Sequence, residues 1–463
     1  MYFNYPGSGQ DEDCLFVNVF TPANATAQSK LPVWVFIQGG GYTSNANANW
    51  NGAGVVERSG RNLVFVNFNY RVGLYGFLAS ERVRADGALN AGLLDQRRLL
   101  RWVQAHIAAF GGDPSHVVIH GASAGAGSVA LHMVAHGGRD DGLFVGAAAE
   151  SVFLPAAQHV SSLEWQFDLV SAAVGCAEAE DEMACLRSRP TTALQAANVA
   201  APFPNGTQTW NPSFYWTPCI DGDLLPDLPY RLYTRGRFVR SVAAMYGTDT
   251  DEGSVFVPNA ASRDDIATFF QDNFPRLSSA GAGAIVAQYP RLPAVPRHER
   301  WFPSVSRAYG EAVFTCPAVN MLTSLAEDGG SNISETAAPK VFGYRYDVYD
   351  AESEAAGMGV VHLFEAAAIF GPENIAMAPL SYWTYNAPIV PVVMDYWISF
   401  VRTLDPNVYR HPDAPEWESW NQGGGDAKKR LVFQTGNLSV EETPREQVRR
   451  CEFWLSMEEA MEQ

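Results

Sequence analysis

The stretch His116–His132, HVVIHGASAGAGSVALH, decides the reading of this 463-residue chain. Val117 to His120 form a short apolar run of strand type, and the residues after Gly125 are compatible with a helix. Between them stands Gly121-Ala122-Ser123-Ala124-Gly125, a G-x-S-x-G pattern in strand-to-helix context. A serine raised on so tight a turn needs glycine on both sides, because the strained backbone and the neighbouring strand leave no room for Cβ atoms. The turn sets the Ser123 hydroxyl at a helix N-terminus, where N–H groups and the helix dipole favour developing negative charge. In a chain with 40 glycines the bare pattern arises by chance, and its meaning comes from the strand before it and the helix after it.

Upstream, the apolar run Leu31 to Ile37 ends in Gln38-Gly39-Gly40-Gly41-Tyr42. Alone, such glycines read as a flexible turn; beside a serine elbow their bare N–H groups read as donors to the oxyanion of a tetrahedral intermediate. Leu15 to Phe20 alternates like a strand, and Leu63 to Asn69, Ser241 to Tyr246 and Val341 to Val348 are further strand-like runs. Ala91 to Phe110 carries Leu93, Leu94, Leu99, Leu100, Trp102 and Val103 at helical spacing, and Pro391 to Thr403 reads as a long amphipathic helix. Strands alternating with helices predict an α/β fold with a large, mainly parallel sheet and helices on both faces. With no repeat, linker or composition shift, residues 1–463 read as a single domain.

Composition narrows the partners. Lys and Arg number 32 against 50 Asp and Glu, a net charge of −18, and 47% of residues are hydrophobic, which excludes a disordered chain. No basic stripe is present to neutralise phosphates or anionic lipid, so neither nucleic acid nor a membrane surface is an expected partner. The most apolar stretches are broken by Glu365, Pro388 and Pro391 before reaching the roughly 18 to 20 residues of a span, so no stable membrane insertion is expected. The six cysteines include no C-x-x-C pair, which argues against a zinc ribbon, and Cys176 and Cys185 enclose a short acidic segment suited to a small closed surface loop. Sequons begin at Asn24, Asn205, Asn332 and Asn437. Together with the acidic, lysine-poor composition they favour a secreted, extracellular protein, although the opening MYFNYPGSGQDED has neither the basic nor the apolar region of a signal peptide.

An ordered series of motifs resembles the type-B carboxylesterase/lipase family of the α/β-hydrolase fold, to which cholinesterases and fungal lipases belong. The stretches are Glu12-Asp13-Cys14-Leu15, Gln38 to Tyr42, Asn69-Tyr70-Arg71-Val72-Gly73, Asn90 to Arg97, Phe110-Gly111-Gly112-Asp113-Pro114 and the elbow, then Asp251-Glu252-Gly253-Ser254, Gly359-Val360-Val361-His362 and Asp405-Pro406-Asn407. The resemblance implies Ser123 as nucleophile, Glu252 as acid and His362 as base, in the chain order of α/β-hydrolases. It also implies an oxyanion hole from the N–H groups of Gly40, Gly41 and Ala124, and a serine carboxylic ester hydrolase that forms an acyl-enzyme without metal or cofactor. The expected partner is a small-molecule carboxylic ester. His120, in the strand before the elbow, reads as a packed structural residue. The chain departs from the family at Gln38, where His or Tyr is common, and at Ala122, where many members carry a glutamate.

The resemblance further implies disulfides Cys176–Cys185 and Cys316–Cys451, leaves Cys219 as a buried thiol in a strand-like segment, and links Arg71 to Asp95 in a buried salt bridge. Losing one partner of such a buried pair would cost about 3 to 5 kcal/mol. Family chains usually begin with more strands and a cysteine that pairs with the Cys14 position, so a chain N-terminally truncated relative to the family is expected. That expectation keeps a catalytically impaired fragment open as an alternative, beside an adhesion or binding member of the same fold.

Overall fold

A computed structural model describes residues 11–45, 50–327, 340–422 and 427–463. Its strands, β1 (Val17–Phe20), β2 (Leu31–Ile37), β3 (Val64–Phe68), β4 (Gly112–Ala122), β5 (Gly146–Glu150), β6 (Ala243–Asp249), β7 (Val341–Tyr346), β8 (Lys429–Phe433) and β9 (Ser439–Glu442), form one nine-stranded sheet in the order β1-β3-β2-β4-β5-β6-β7-β8-β9. From β3 to β8 every neighbouring pair is parallel; β1 and β9 close the edges antiparallel. The chain is therefore an α/β-hydrolase with a mainly parallel mixed sheet.

Alternation along the strands splits the core into two layers. Val33, Val35, Ile37, Val66 and Ile119 face one side, where they pack with Leu93, Leu100 and Val103 of the helix Ala91–His106 and with Val129 and Met133 of the helix Ala124–Val134. Trp34, Phe36, Phe65, Val118 and Met245 face the other, against Val393, Trp397 and Phe400 of the helix Ile389–Thr403. Burial on both faces is what a parallel sheet requires, and it accounts for the near-continuous apolar run of β2.

Several details differ from the sequence reading. The first strand begins at Val17, because Leu15 and Phe16 point to solvent. The helix from Ala91 ends at His106 and continues only as a 3₁₀ turn, Ile107–Phe110. Cys219 is a buried free thiol, but it lies outside any strand, held by the Asn90 side chain, which donates to its carbonyl at 2.9 Å and accepts from its N–H at 2.9 Å.

Candidate active site

Four parallel strands and the segments that follow them bring the expected residues to the carboxyl-end side of the sheet. Gly39–Gly41 follow β2, Ser123 follows β4 and Glu252 follows β6, while His362 sits in the loop after β7 and a short helix, Ala351–Ala355. Carboxyl ends of parallel strands are where α/β sheets place ligands, because the crossovers leave a crevice there.

Ser123 has φ 56° and ψ −122°, a left-handed conformation at the N-cap of the elbow helix, Ala124–Val134. The flanking glycines are sterically required. A Cβ on Gly125 would stand 1.9 Å from the Ile37 carbonyl oxygen, and one on Gly121 would stand 2.1 Å from the Gly125 oxygen. The glycine turn lies against the same elbow, since a Cβ on Gly39 would meet the Ala122 oxygen at 2.6 Å and the Ser123 Cβ at 2.9 Å. Gly40 and Gly41 have φ of 109° and 60°, and among the described residues no backbone acceptor takes the N–H of Gly40, Gly41 or Ala124. Gln38 does not enter this wall, for its amide donates to the Phe68 carbonyl at 2.8 Å.

His362 Nδ1 lies 2.5 Å from Glu252 Oε2, with the carboxylate fully buried and the imidazole 8% exposed. The second carboxylate oxygen accepts the Asp249 N–H at 2.8 Å. Glu252 is thus the acid that meets the histidine; Asp251 instead accepts the Val360 N–H at 3.0 Å, and Asp249 the Phe364 N–H at 3.3 Å. The other ring nitrogen, His362 Nε2, is buried and makes no hydrogen bond among the described residues, so no bond to the Ser123 hydroxyl is formed. Phe256 and Phe314 pack on the imidazole with centroids at 5.0 and 4.6 Å, and Phe153 and Phe214 extend the aromatic wall. A Cβ on Gly41 would reach Phe214 at 2.7 Å, so the wall abuts the glycine turn.

His120 belongs to the packing beneath the elbow. Trp34 Nε1–H donates to its Nδ1 at 3.0 Å, and its Nε2 lies 2.5 Å from Glu150 Oε1, both side chains being inaccessible. Burial pulls the imidazole down to about 3 and pushes the Glu150 carboxyl well above the usual range.

The remaining expectations fall on the periphery. Cys176–Cys185 and Cys316–Cys451 are disulfides, and Cys14 is free. Arg71 binds Asp95 through Nε and Nη2 at 2.7 and 2.8 Å, but the expected burial is not found: the Arg71 side chain is 43% exposed. Water reaches the guanidinium, so loss of Asp95 strands no buried cation, whereas the Asp95 side chain is 11% exposed and loss of Arg71 leaves its carboxylate largely buried. Asn24, Asn205 and Asn437 are exposed, and Asn332 lies outside the described residues. No group of three or more metal-ligating side chains occurs among the described residues.

The aromatic wall and the acids around Glu252 were not read as site residues. Phenylalanines scattered between residues 153 and 314 give no local pattern, whereas Glu365, a charge heading the apolar run Ala366–Phe370, was a usable signal.

Comparison with known proteins gives the family. Residues 2–454 match the model of the carboxylesterase family, and the chain belongs to that family. It is a carboxylic ester hydrolase. Aspergillus niger EstA, a solved structure, superposes with a TM-score of 0.92 at 48% identity, covering 98% of this chain and 85% of that one. Lipase 2 of Geotrichum candidum is 31% identical over 458 residues, 92% of this chain and 75% of the lipase. A secreted lipase of Arthroderma benhamiae is 30% identical over 453 residues, again 92% of this chain and 75% of the relative.

Proposed function

We propose that the protein hydrolyses neutral carboxylic esters through an acyl-enzyme on Ser123, with His362 as general base and Glu252 as its orienting acid. The observation that carries this reading is the 2.5 Å contact between Glu252 Oε2 and His362 Nδ1, which leaves Nε2 as the ring nitrogen available to the elbow serine. The Ser123 hydroxyl gives its proton to Nε2 as Oγ bonds the ester carbonyl carbon. The oxyanion is met by the N–H groups of Gly40, Gly41 and Ala124, each such donor being worth about 10²- to 10³-fold in rate. The imidazolium returns the proton to the leaving alcohol as the C–O bond breaks, and a water deprotonated by the same nitrogen then releases the acid. Glu252 stays ionised throughout, fixing the tautomer and stabilising the imidazolium.

Neutral esters are favoured because the wall is phenylalanine and position 122 is a buried alanine, which offers a cation no carboxylate at that place. The nine strands of the described residues join one sheet, which supports residues 1–463 as a single domain. Two disulfides, and relatives named as secreted lipases, support an extracellular location. An intact set of Ser123, Glu252 and His362 argues against an adhesion or binding role and against a catalytically impaired fragment. Reaction with a fluorophosphonate probe tests the mechanism: the adduct is expected on the Ser123 peptide and absent from Ser123→Ala. A wild-type protein that hydrolyses no ester and takes no label would refute it.

A further inference from the structure

Four carboxyl side chains lie buried behind His362, at most 1% exposed: Glu150, Asp249, Glu252 and Glu365. No Lys or Arg pairs with any of them among the described residues, so four full negative charges cannot coexist there. Glu252 is accounted for by His362 and by the Asp249 N–H. Asp249 and Glu365 are not. Asp249 Oδ2 accepts the Phe364 N–H at 3.3 Å, and Glu365 Oε1 accepts the Tyr344 hydroxyl at 3.0 Å. Asp249 Oδ1 and Glu365 Oε2 are buried with no donor, yet the two side chains lie within hydrogen-bond reach of each other. A proton held between two neighbouring carboxyls turns one of them into a donor and satisfies both.

We propose that Asp249 and Glu365 share one proton and act as positioning residues, clamping the loop that carries Glu252 to the loop that carries His362. The placement fits that role. Asp249 precedes Glu252 by three residues and Glu365 follows His362 by three, so one Asp249–Glu365 hydrogen bond spans both loops beneath the Glu252–His362 contact. With one proton held, every oxygen of the pair has a partner and the pair carries a single negative charge. Burial pushes both carboxyls above the ordinary range, helped by repulsion from Glu365 and Glu252 at Asp249 and from Glu252 at Glu365. The other titratable groups facing the pair are Glu150 and the hydroxyls of Tyr344, Tyr346 and Tyr382, all of which are neutral or become so with burial.

The inference rests on the triad reading above, and the test separates the two. The pH profile of kcat/KM is measured for Glu365→Leu, Glu365→Gln, Asp249→Asn and the double amide Asp249→Asn/Glu365→Gln. Leucine cannot make the clamp and is expected to lower kcat about tenfold, whereas either single amide replaces the shared proton with an N–H and returns kcat to within about threefold of wild type. Either single amide also preserves the single negative charge, so the acid limb of the profile stays in place. The double amide removes that charge, makes the imidazolium harder to form, and moves the acid limb to lower pH by about half a unit or more. A single amide that shifts the limb about half as far as the double shows two ionised carboxyls and overturns the proposal; so does a double amide with no shift. Infrared spectra of the wild-type protein at pH 8 provide a check that needs no folded variant of the pair. A protonated-carboxyl C=O band that persists in Glu150→Gln supports the shared proton, and its absence there overturns it. If wild type hydrolyses no ester and fails to label, the triad reading falls while the infrared result still decides the pair.

Discussion

Ser123 holds a conformation that a non-glycine residue adopts only under constraint, φ 56° with ψ −122°, and the constraint comes from neighbours that leave its helix nowhere else to begin. Its hydroxyl makes no hydrogen bond that the fold needs, so Ser123→Ala removes chemistry without removing packing. The expected outcome is loss of ester hydrolysis by about 10⁴- to 10⁶-fold in kcat with an unchanged melting temperature. A variant that keeps most of its turnover would assign the nucleophile elsewhere. Ser123 was nameable from its G-x-S-x-G turn between strand and helix, and Glu252 and His362 from the resemblance of Asp251–Ser254 and Gly359–His362 to family motifs. Asp249 and Glu365 were not, because their pairing depends on which oxygens end up facing each other after two loops, more than a hundred residues apart, are packed.

At the scale of elements, the elbow is a three-way junction of β2, β4 and the helix Ala124–Val134, and its glycines serve close approach. The test is a contrast between two helical glycines. Gly125→Ala would push a methyl to 1.9 Å from the Ile37 backbone, where no flexible side chain can yield, so a loss of about 1 to 3 kcal/mol or more is expected, with ester hydrolysis falling as the elbow shifts. Gly283→Ala, in the exposed part of the helix Ser279–Gln288, meets nothing within 4 Å and should instead stabilise by about 0.5 to 1 kcal/mol. Equal effects in thermal unfolding would show that steric contact is not what selects glycine at the elbow. The same packing logic explains which elements the sequence hid. β5 is Gly-Ala-Ala-Ala-Glu, a poor strand by propensity, and it forms because β4 and β6 supply hydrogen bonds on both sides and the interior admits only small side chains. β2, by contrast, is apolar throughout and was legible at its full length, Leu31–Ile37.

For the whole molecule, fold class was readable and strand order was not, since the alternation of strands and helices fixes a layered architecture while the position of β4 between β2 and β5 depends on crossovers that leave no local mark. Closure by the last residues was equally hidden. Gln463 donates to the carbonyls of Leu154 and Ala312 at 2.5 and 3.1 Å, and the Glu462 carbonyl accepts the Ala157 N–H at 2.6 Å, which seats this segment behind the aromatic wall. The Cys316–Cys451 disulfide ties the helix Arg445–Ser456 to the body. It closes a separation of 135 residues against 9 for Cys176–Cys185, so loop-closure entropy predicts losses of about 5 and about 2.5 kcal/mol when each is replaced by alanines, and indistinguishable melting shifts would refute that ranking. Seating this segment also buries a carboxyl: Glu462 is 1% exposed, neither side-chain oxygen has a hydrogen-bond partner among the described residues, and Arg276 comes only to 3.9 Å. Desolvation outweighs the arginine and pushes the carboxyl up to about 7. A folded value above the unfolded one means that the native state holds a proton the unfolded chain has released. The group's contribution is therefore fully present below about pH 4.5 and lost as pH rises through about 7, a change of about 3 kcal/mol at 1.4 kcal/mol per unit. Glu462→Gln keeps a neutral side chain at every pH, and all other titrating groups are common to both proteins. The unfolding free energy of the glutamine variant minus that of wild type should be near zero at pH 4.5 and rise to about 3 kcal/mol at pH 8 in denaturant titrations. A difference that stays constant across that window would mean that Glu462 is ionised in the folded protein and that the tail is solvated.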